Sequence, residues 1–381
     1  MKRSEIVTLI IIFVVLLAIF AGALYLGGRH RLGGDKPFFG TSGNEAHAFP
    51  PSYLYCQIYG KLMRFDTANG VAEKLCGHAD ADAGCILERA VDPIRLCEGK
   101  LYFGYQDPAN MQRCLVGCYD IKSGAVHETG IEFAMKTGFF VHGGYIYTSG
   151  PGVILRYPEV GGNPEIFAEA DEVVFMVADG KVYTHGGDYS IYHPNHKDPA
   201  YIFSYDIETR KKNTVLSFNT NTDQCVSRAY CTDGRIYLLL SEAIAENDIV
   251  YNVPDELIKR LYLIDTETDE CRMLFDTYVD ELFLSEDSVI YIPYEERTIP
   301  SGQYTDRLEV TRSASIRACD LDGGRDRVIY TNYDISLAVG YFGNGTIFGS
   351  FVGKSPGIES SFYHAALNLA TGEIKRVVLP K

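Results

Sequence analysis

Residues 179–186, DGKVYTHG, carry the reading that decides the fold. A polar turn built on Asp179-Gly180 is followed by alternating apolar and polar residues, and the apolar run VVFMV (173–177) precedes it. An apolar run, a tight turn and an alternating run predict a β-hairpin. The same phrase recurs as EGKLYFGY (98–105), HGGYIYTSG (142–150), DGRIYLLL (233–240), EDSVIYIPY (286–294) and GNGTIFGSF (343–351). The runs IRLC, GFFV, SRAYC, ELFL and LAVG precede these copies.

A second phrase alternates with the first. It ends a strand on an acidic turn: MRFDTANG (63–70), GCYDIKSG (117–124), FSYDIETR (203–210), YLIDTETD (262–269) and RACDLDGG (317–324), with LRYPEVGG (155–162) and AALNLATG (365–372) as degenerate copies. Asp or Asn at the turn start caps backbone amides, and Gly near its end supplies a positive φ. Apolar residues follow each turn, so this is a second hairpin. Two hairpins per unit make a four-stranded antiparallel blade, and units of roughly 36 to 57 residues match propeller repeats. The expected fold is all-β, a β-propeller of about seven four-stranded blades, six or eight being the neighbouring counts. A β-sandwich explains hairpins but not their sevenfold recurrence, and a β-helix has shorter, more uniform repeats. The first copy, from Tyr53, lacks an evident innermost strand; residues 38–49 are the segment available to supply it.

The N-terminus reads differently. Residues 6–26, IVTLIIIFVVLLAIFAGALYL, contain no charge and reach roughly 30 Å as a helix, the depth of a bilayer core. A cleaved signal peptide has a shorter apolar region, although Ala21, Gly22 and Ala23 are small enough for cleavage. The expectation is an uncleaved signal anchor: a cytoplasmic 1–5, a transmembrane 6–26, a Gly-rich linker 27–48, and a propeller 49–381 outside the cytoplasm in a single-pass membrane protein. Lys2 and Arg3 before the span, against Arg29, Arg31 and Lys36 after it, leave the positive-inside rule undecided; long domains cross largely regardless of charge.

A net charge of −15 opposes phosphate binding, so no nucleic-acid partner is expected. All ten Cys lie between Cys56 and Cys319, without Cys-x-x-Cys or zinc-finger spacing. Disulfides and buried thiols both remain open.

The repeats resemble several bacterial propeller families. HGGDYSIYHPNHKDPAYIFSYDIETRKKNTV (185–215) looks like a kelch blade, and ACDLDGGRDRVIYTN (318–332) is similar to the repeat of TolB-type propellers. The whole run, with its G-K-[LI]-Y and D-x-x-T-G rhythm, most resembles the membrane-anchored, extracytoplasmic bacterial propellers of unknown function likened to lipoprotein-receptor propellers. That resemblance implies a fold and an exported location, and no catalytic residue.

With strands a to d counted outwards from the axis, the a–b and c–d turns open on one end of the ring and are short. The b–c connections open on the other, and four are long: His185–Ala200, Ser241–Lys259, Tyr294–Arg312 and Lys354–Ser361. Long loops on a rigid scaffold are where binding residues collect. The candidates are Tyr189, Tyr192, His193, His196, Tyr251, Tyr294, Glu295, Arg297 and Tyr304, Tyr being an amphipathic contact residue. His185, His193 and His196 lack a completing carboxylate pattern, so no metal is expected. DTETDE (265–270) and DLDGGRD (320–326) fall at structural turns rather than in an EF-hand loop. Adjacent Glu295 and Glu296 do not form a glycosidase pair, which comes from separate elements. With no Trp, no G-x-S-x-G elbow and no phosphate loop, the expected function is non-catalytic recognition of a protein, peptide or glycan, with no cofactor. The alternative is an exported propeller enzyme of glycoside hydrolase, lyase or lactonase type.

Overall fold

The computed structural model describes residues 53–377, except 59, 67–68, 77–84, 136, 187–200, 218–224, 243–257, 286, 300–306, 314, 332–334, 344 and 354–360. The expected span 6–26 and linker 27–48 lie outside these. Among the described residues no helix is long and apolar enough to cross a membrane.

Every sheet is built from antiparallel neighbours in chain order. The first holds β1 (Tyr53–Ile58), β2 (Lys61–Asp66) and β3 (Val71–Lys74). The second holds β4 (Ala90–Cys97), β5 (Lys100–Asp107), β6 (Asn110–Asp120) and β7 (Val126–Phe133). Next come β8 (Phe139–His142), β9 (Tyr145–Gly150), β10 (Val153–Pro158) and β11 (Glu165–Ala168). The fourth sheet is β12 (Glu172–Ala178), β13 (Lys181–Gly186), β14 (Tyr201–Asp206) and β15 (Lys212–Ser217).

A longer sheet follows: β16 (Cys225–Thr232), β17 (Arg235–Glu242), β18 (Ile258–Asp265), β19 (Cys271–Leu284), β20 (Ser288–Ile299), β22 (Ser315–Asp320) and β23 (Arg327–Thr331), with β21 (Arg307–Arg312) paired to β20. It is two four-stranded units sharing one strand. The first part of β19, Cys271 to Tyr278, pairs with β18, and the second, Val279 to Leu284, pairs with β20. The last sheet is β24 (Ile335–Gly343), β25 (Thr346–Gly353), β26 (Ser361–Asn368) and β27 (Ile374–Arg376).

The first strands of successive units lie side by side: β4 against β8, β8 against β12, β12 against β16, β16 against β19, and β19 against β24. The first sheet meets both its neighbours, because β1 lies against β4 and against β24. Phe65 of β2 stacks on Phe348 of β25 at 4.5 Å between centroids, inside a core patch that also buries Cys56, Met63, Ala72 and Ala366. First and last sheets are thus joined by apolar packing. The first sheet's Asp66 turn closes with Gly70 N donating to Asp66 O at 2.8 Å, as Gly124 does to Asp120 and Gly372 to Asn368. Its three strands therefore correspond to b, c and d, and the segment expected to supply strand a lies outside the described residues.

The acidic turns do the structural work expected of them. Asp120, Asp206 and Asp265 each accept on one carboxylate oxygen from the amide three residues on, at 2.7, 2.7 and 2.9 Å. These amide contacts hold all three carboxyls below the usual range.

The strand-b tyrosines explain the first phrase. Tyr102, Tyr183 and Tyr237 are all buried, and each hydroxyl meets the c–d turn of the next unit. Tyr183 donates to Asp269 Oδ1 at 3.3 Å and Tyr237 to Leu321 O at 2.8 Å. Tyr102 pairs with Glu159. The lysine of the same phrase follows: Lys100 bonds Glu159, and Lys181 bonds Asp269 at 2.9 Å. The recurring Lys-x-Tyr is a clasp that fills the space between sheets with a ring and ties its far end by hydrogen bonds.

Candidate functional site

Of the nine residues singled out from sequence, Tyr189, Tyr192, His193, His196, Tyr251 and Tyr304 lie outside the described residues. Glu295 and Arg297 lie in β20, where only the backbone is described. The expected loop Tyr294–Arg312 is largely not a loop. Tyr294 to Ile299 pair residue by residue with Arg312 to Arg307, extending strand b into a further hairpin. The β-branched residues Thr298, Ile299, Val310 and Thr311 favour that ladder.

Tyr294 is placed fully. Its hydroxyl donates to Asp280 Oδ1 at 2.8 Å, and the buried Lys259 donates to Asp280 O at 3.1 Å. Lys259 Nζ also stands 4.0 Å from Asp280 Oδ1. These residues come from strands b, a and c of neighbouring units, at the end where the b–c connections leave.

Beside this trio lies a charged cluster that the sequence reading passed over. Arg228 of β16 donates to Glu281 of β19 at 3.2 Å, with both residues within 5% of full burial. Asp92 and Arg95 of β4 are buried too, near enough to Arg228 for all three charges to act on one another. Arg95 Nε donates to Phe139 O of β8 at 3.2 Å, and its guanidinium lies 4.4 Å from the centre of the Phe140 ring. Tyr230 completes the group, under the fields of Arg228, Glu281 and Arg95. All five sit on innermost strands. Arg228 pairs with Leu239 and Glu281 with Ile292, and Asp92 lies in the bulge between Val91 and Ile94. Asp92, Arg228 and Glu281 lie in the halves of their strands nearer the b–c end, and Arg95 and Tyr230 in the halves nearer the a–b turns.

Burial dominates the electrostatics. It pushes the Asp92 carboxyl up to about 7, with Arg228 and Arg95 pulling back. It pushes the Arg95 guanidinium down to about 9, against the field of Asp92. Arg228 and Glu281 pair with each other at 3.2 Å. The sequence signal was a charge inside each apolar run: Arg95 in IRLC, Arg228 in SRAYC and Glu281 in ELFL.

The other candidates resolve into structure. His185 is a half-buried residue of β13 near the Phe175 ring, its imidazole pushed down to about 4 by desolvation. Among the described residues no group of His, Cys, Asp and Glu is placed to hold a metal. An open cleft of about 700 Å³ on the c–d turn face is lined by Arg235, Asp287, Asp320, Asp322, Arg325 and Arg327. Its charges answer one another: Arg325 donates to Asp320 at 2.6 Å, and Gly324 N to Asp322 Oδ1 at 2.9 Å.

No family model and no curated protein matches this chain. Solved structures do. An oligogalacturonate lyase from Vibrio parahaemolyticus is 10% identical with a TM-score of 0.50, over 85% of this chain and 84% of that one. A structure from a study of two prolyl endopeptidases is 10% identical with a TM-score of 0.53, over 96% of this chain and 54% of that one. At such identity the likeness shows the fold alone, a β-propeller, on which unrelated functions are hosted.

Proposed function

We propose that the chain is a membrane-tethered propeller of seven blades, held outside the cytoplasm, that binds a protein, peptide or glycan at the b–c end without catalysis. The carrying observation is the character of that end. Neighbouring units meet there through buried polar contacts: Arg228 with Glu281 on innermost strands, and Asp280 of an innermost strand with both Lys259 and Tyr294. Such a network makes a rigid floor, and the long b–c connections leave from around it. Counting the eight-stranded sheet as two units supports a reading of seven blades. The net charge of −15 repels polyanions, so a neutral or basic ligand suits this surface better than an oligogalacturonate does.

Two results test this reading. Deleting Met1–Gly34 moves the protein from the membrane fraction to the soluble fraction with its β-type circular dichroism unchanged; aggregated material instead rejects the boundary. That chain is then screened against peptide and neutral-glycan arrays. For a ligand so found, Tyr192→Ala with Tyr251→Ala weakens binding at least about 30-fold, as anchor aromatics do, while stability changes by about 0.5 kcal/mol or less per site. Arg325→Ala on the opposite face leaves affinity unchanged. The reverse pattern rejects the b–c face, and turnover of an oligogalacturonide by the purified chain rejects the non-catalytic reading.

A further inference from the structure

All nine cysteines whose side chains are described are thiols, and two of them are not isolated. Cys76 ends the first sheet just after β3, and Cys85 precedes the 3-10 turn Ile86–Glu88 that leads into β4. The two thiols are in hydrogen-bond contact. Both pack in one apolar cluster, together with Leu62, Leu75, Ile86, Leu87, Leu96 and Leu101. Two strands of core and a turn therefore hold the sulfurs together. Other described thiols also share apolar clusters, Cys97, Cys114 and Cys118 in one and Cys231 and Cys271 in another.

We propose that Cys76 and Cys85 are a dithiol site that closes to an intrachain disulfide, stapling the connection between the first and second sheets. The oxidant is a disulfide of the glutathione or thiol–disulfide oxidoreductase class. The Cys85 thiolate, on the half-buried and more accessible side chain, attacks one sulfur of that disulfide and expels a thiolate. Cys76 Sγ then attacks the Cys85 sulfur of the mixed disulfide and expels the second thiolate. Two thiol protons pass to the two leaving thiolates, one S–S bond is broken and one is made. Burial pushes the Cys85 thiol up, and the hydrogen bond with Cys76 adds to that, against the Leu87 and Glu88 amides. The first attack therefore accelerates as the solution is made alkaline.

The staple closes a loop of about ten residues, which by the chain-entropy estimate lowers the unfolded population roughly 100-fold. It spans the junction at which, among the described residues, a three-stranded sheet hands over to a four-stranded one.

The test uses the full-length chain in detergent, incubated with glutathione disulfide, quenched in acid, then denatured and alkylated. The expected result is two fewer alkylated thiols and a Cys76–Cys85 linked peptide by mass spectrometry, formed faster at pH 9 than at pH 7. The oxidised chain melts about 5 °C higher than the reduced one. Cys76→Ser and Cys85→Ser each abolish the linked peptide, and each melts at one temperature with or without oxidant. A linked peptide joining other cysteines, or full alkylation of both residues under conditions that oxidise a reference dithiol, overturns the proposal. Neither outcome bears on ligand binding at the b–c end.

Discussion

Tyr183→Asp and Tyr237→Asp each leave the chain unfolded at 25 °C, seen as loss of β-type far-ultraviolet and of near-ultraviolet circular dichroism. Both rings are 0% exposed, and each fills the space between two sheets. Tyr183 packs with Phe175, Met176 and Ile202 against Ala229, Ile236 and Leu238 of the following unit. Tyr237 packs with Leu239 and Leu261 against Leu282, Val289 and Cys319. Removing such a ring costs about 3–5 kcal/mol, and an unpaired carboxylate in its place adds several more. Their sum reaches the whole stability of a typical domain, about 5–15 kcal/mol. At position 183 the new carboxylate also confronts Asp269, the acceptor of the native hydroxyl. Tyr183→Phe and Tyr237→Phe are the controls: each keeps the ring, loses one hydrogen bond and costs about 1–2 kcal/mol. If both Asp variants melt like the parent, the assignment of strand b is wrong.

That prediction follows from the part of the fold the sequence states most openly. A turn followed by Lys-x-Tyr or Gly-Tyr-x-Tyr needs only local chemistry to be recognised, because turn, alternation and ring lie within eight residues. The acidic turns are equally local: Asp206 and Asp265 cap amides two and three residues on. Continuity between units is not local. In β19 the sequence CRMLFDTYVDELFL reads as two strands with an acidic connection, yet Asp276 to Asp280 stay extended and the strand passes from one unit to the next. No Gly or Pro interrupts it. The hairpin of β20 and β21 was hidden for the opposite reason, since Pro300, Ser301 and Gly302 mark a turn so strongly that their extended flanks read as loop.

The charged cluster was the least legible feature. A charge in an apolar run reads as an exposed residue on an edge, and periodicity does not say which edge faces the ring's axis. Asp92 and Arg228 are 136 positions apart, and only ring closure sets them in one field. Of the predicted b–c residues, Tyr294 alone has a described side chain. It is engaged with Asp280, which makes it part of the floor as well as a candidate contact.

Arg228→Met destabilises the protein by about 3–5 kcal/mol, the cost of leaving a buried carboxylate without its partner. Glu281 has no compensating access to water, its side chain being 3% exposed. Glu281→Leu costs a similar amount, because it removes the carboxylate that a buried guanidinium bonds. The double variant Arg228→Met/Glu281→Leu recovers most of the loss and melts within about 1–2 kcal/mol of the parent, since a packed apolar pair replaces a buried ion pair at little cost. The two positions lie on the innermost strands of adjacent units, so the coupling in this double-mutant cycle, at least about 2 kcal/mol, reports contact between units rather than within one sheet. Raising salt from 0.05 to 0.5 M (values of order the usual screening range) leaves the coupling unchanged, because the pair is shielded from mobile ions. Simple additivity of the two losses would mean that Arg228 and Glu281 do not meet in solution, and the order of sheets around the axis would have to be redrawn. Ligand binding adds a second reading of the same cycle. A double variant that folds yet no longer holds the ligand found at the b–c end places the charges in recognition; one that folds and binds normally assigns them to the floor that holds the loops in place.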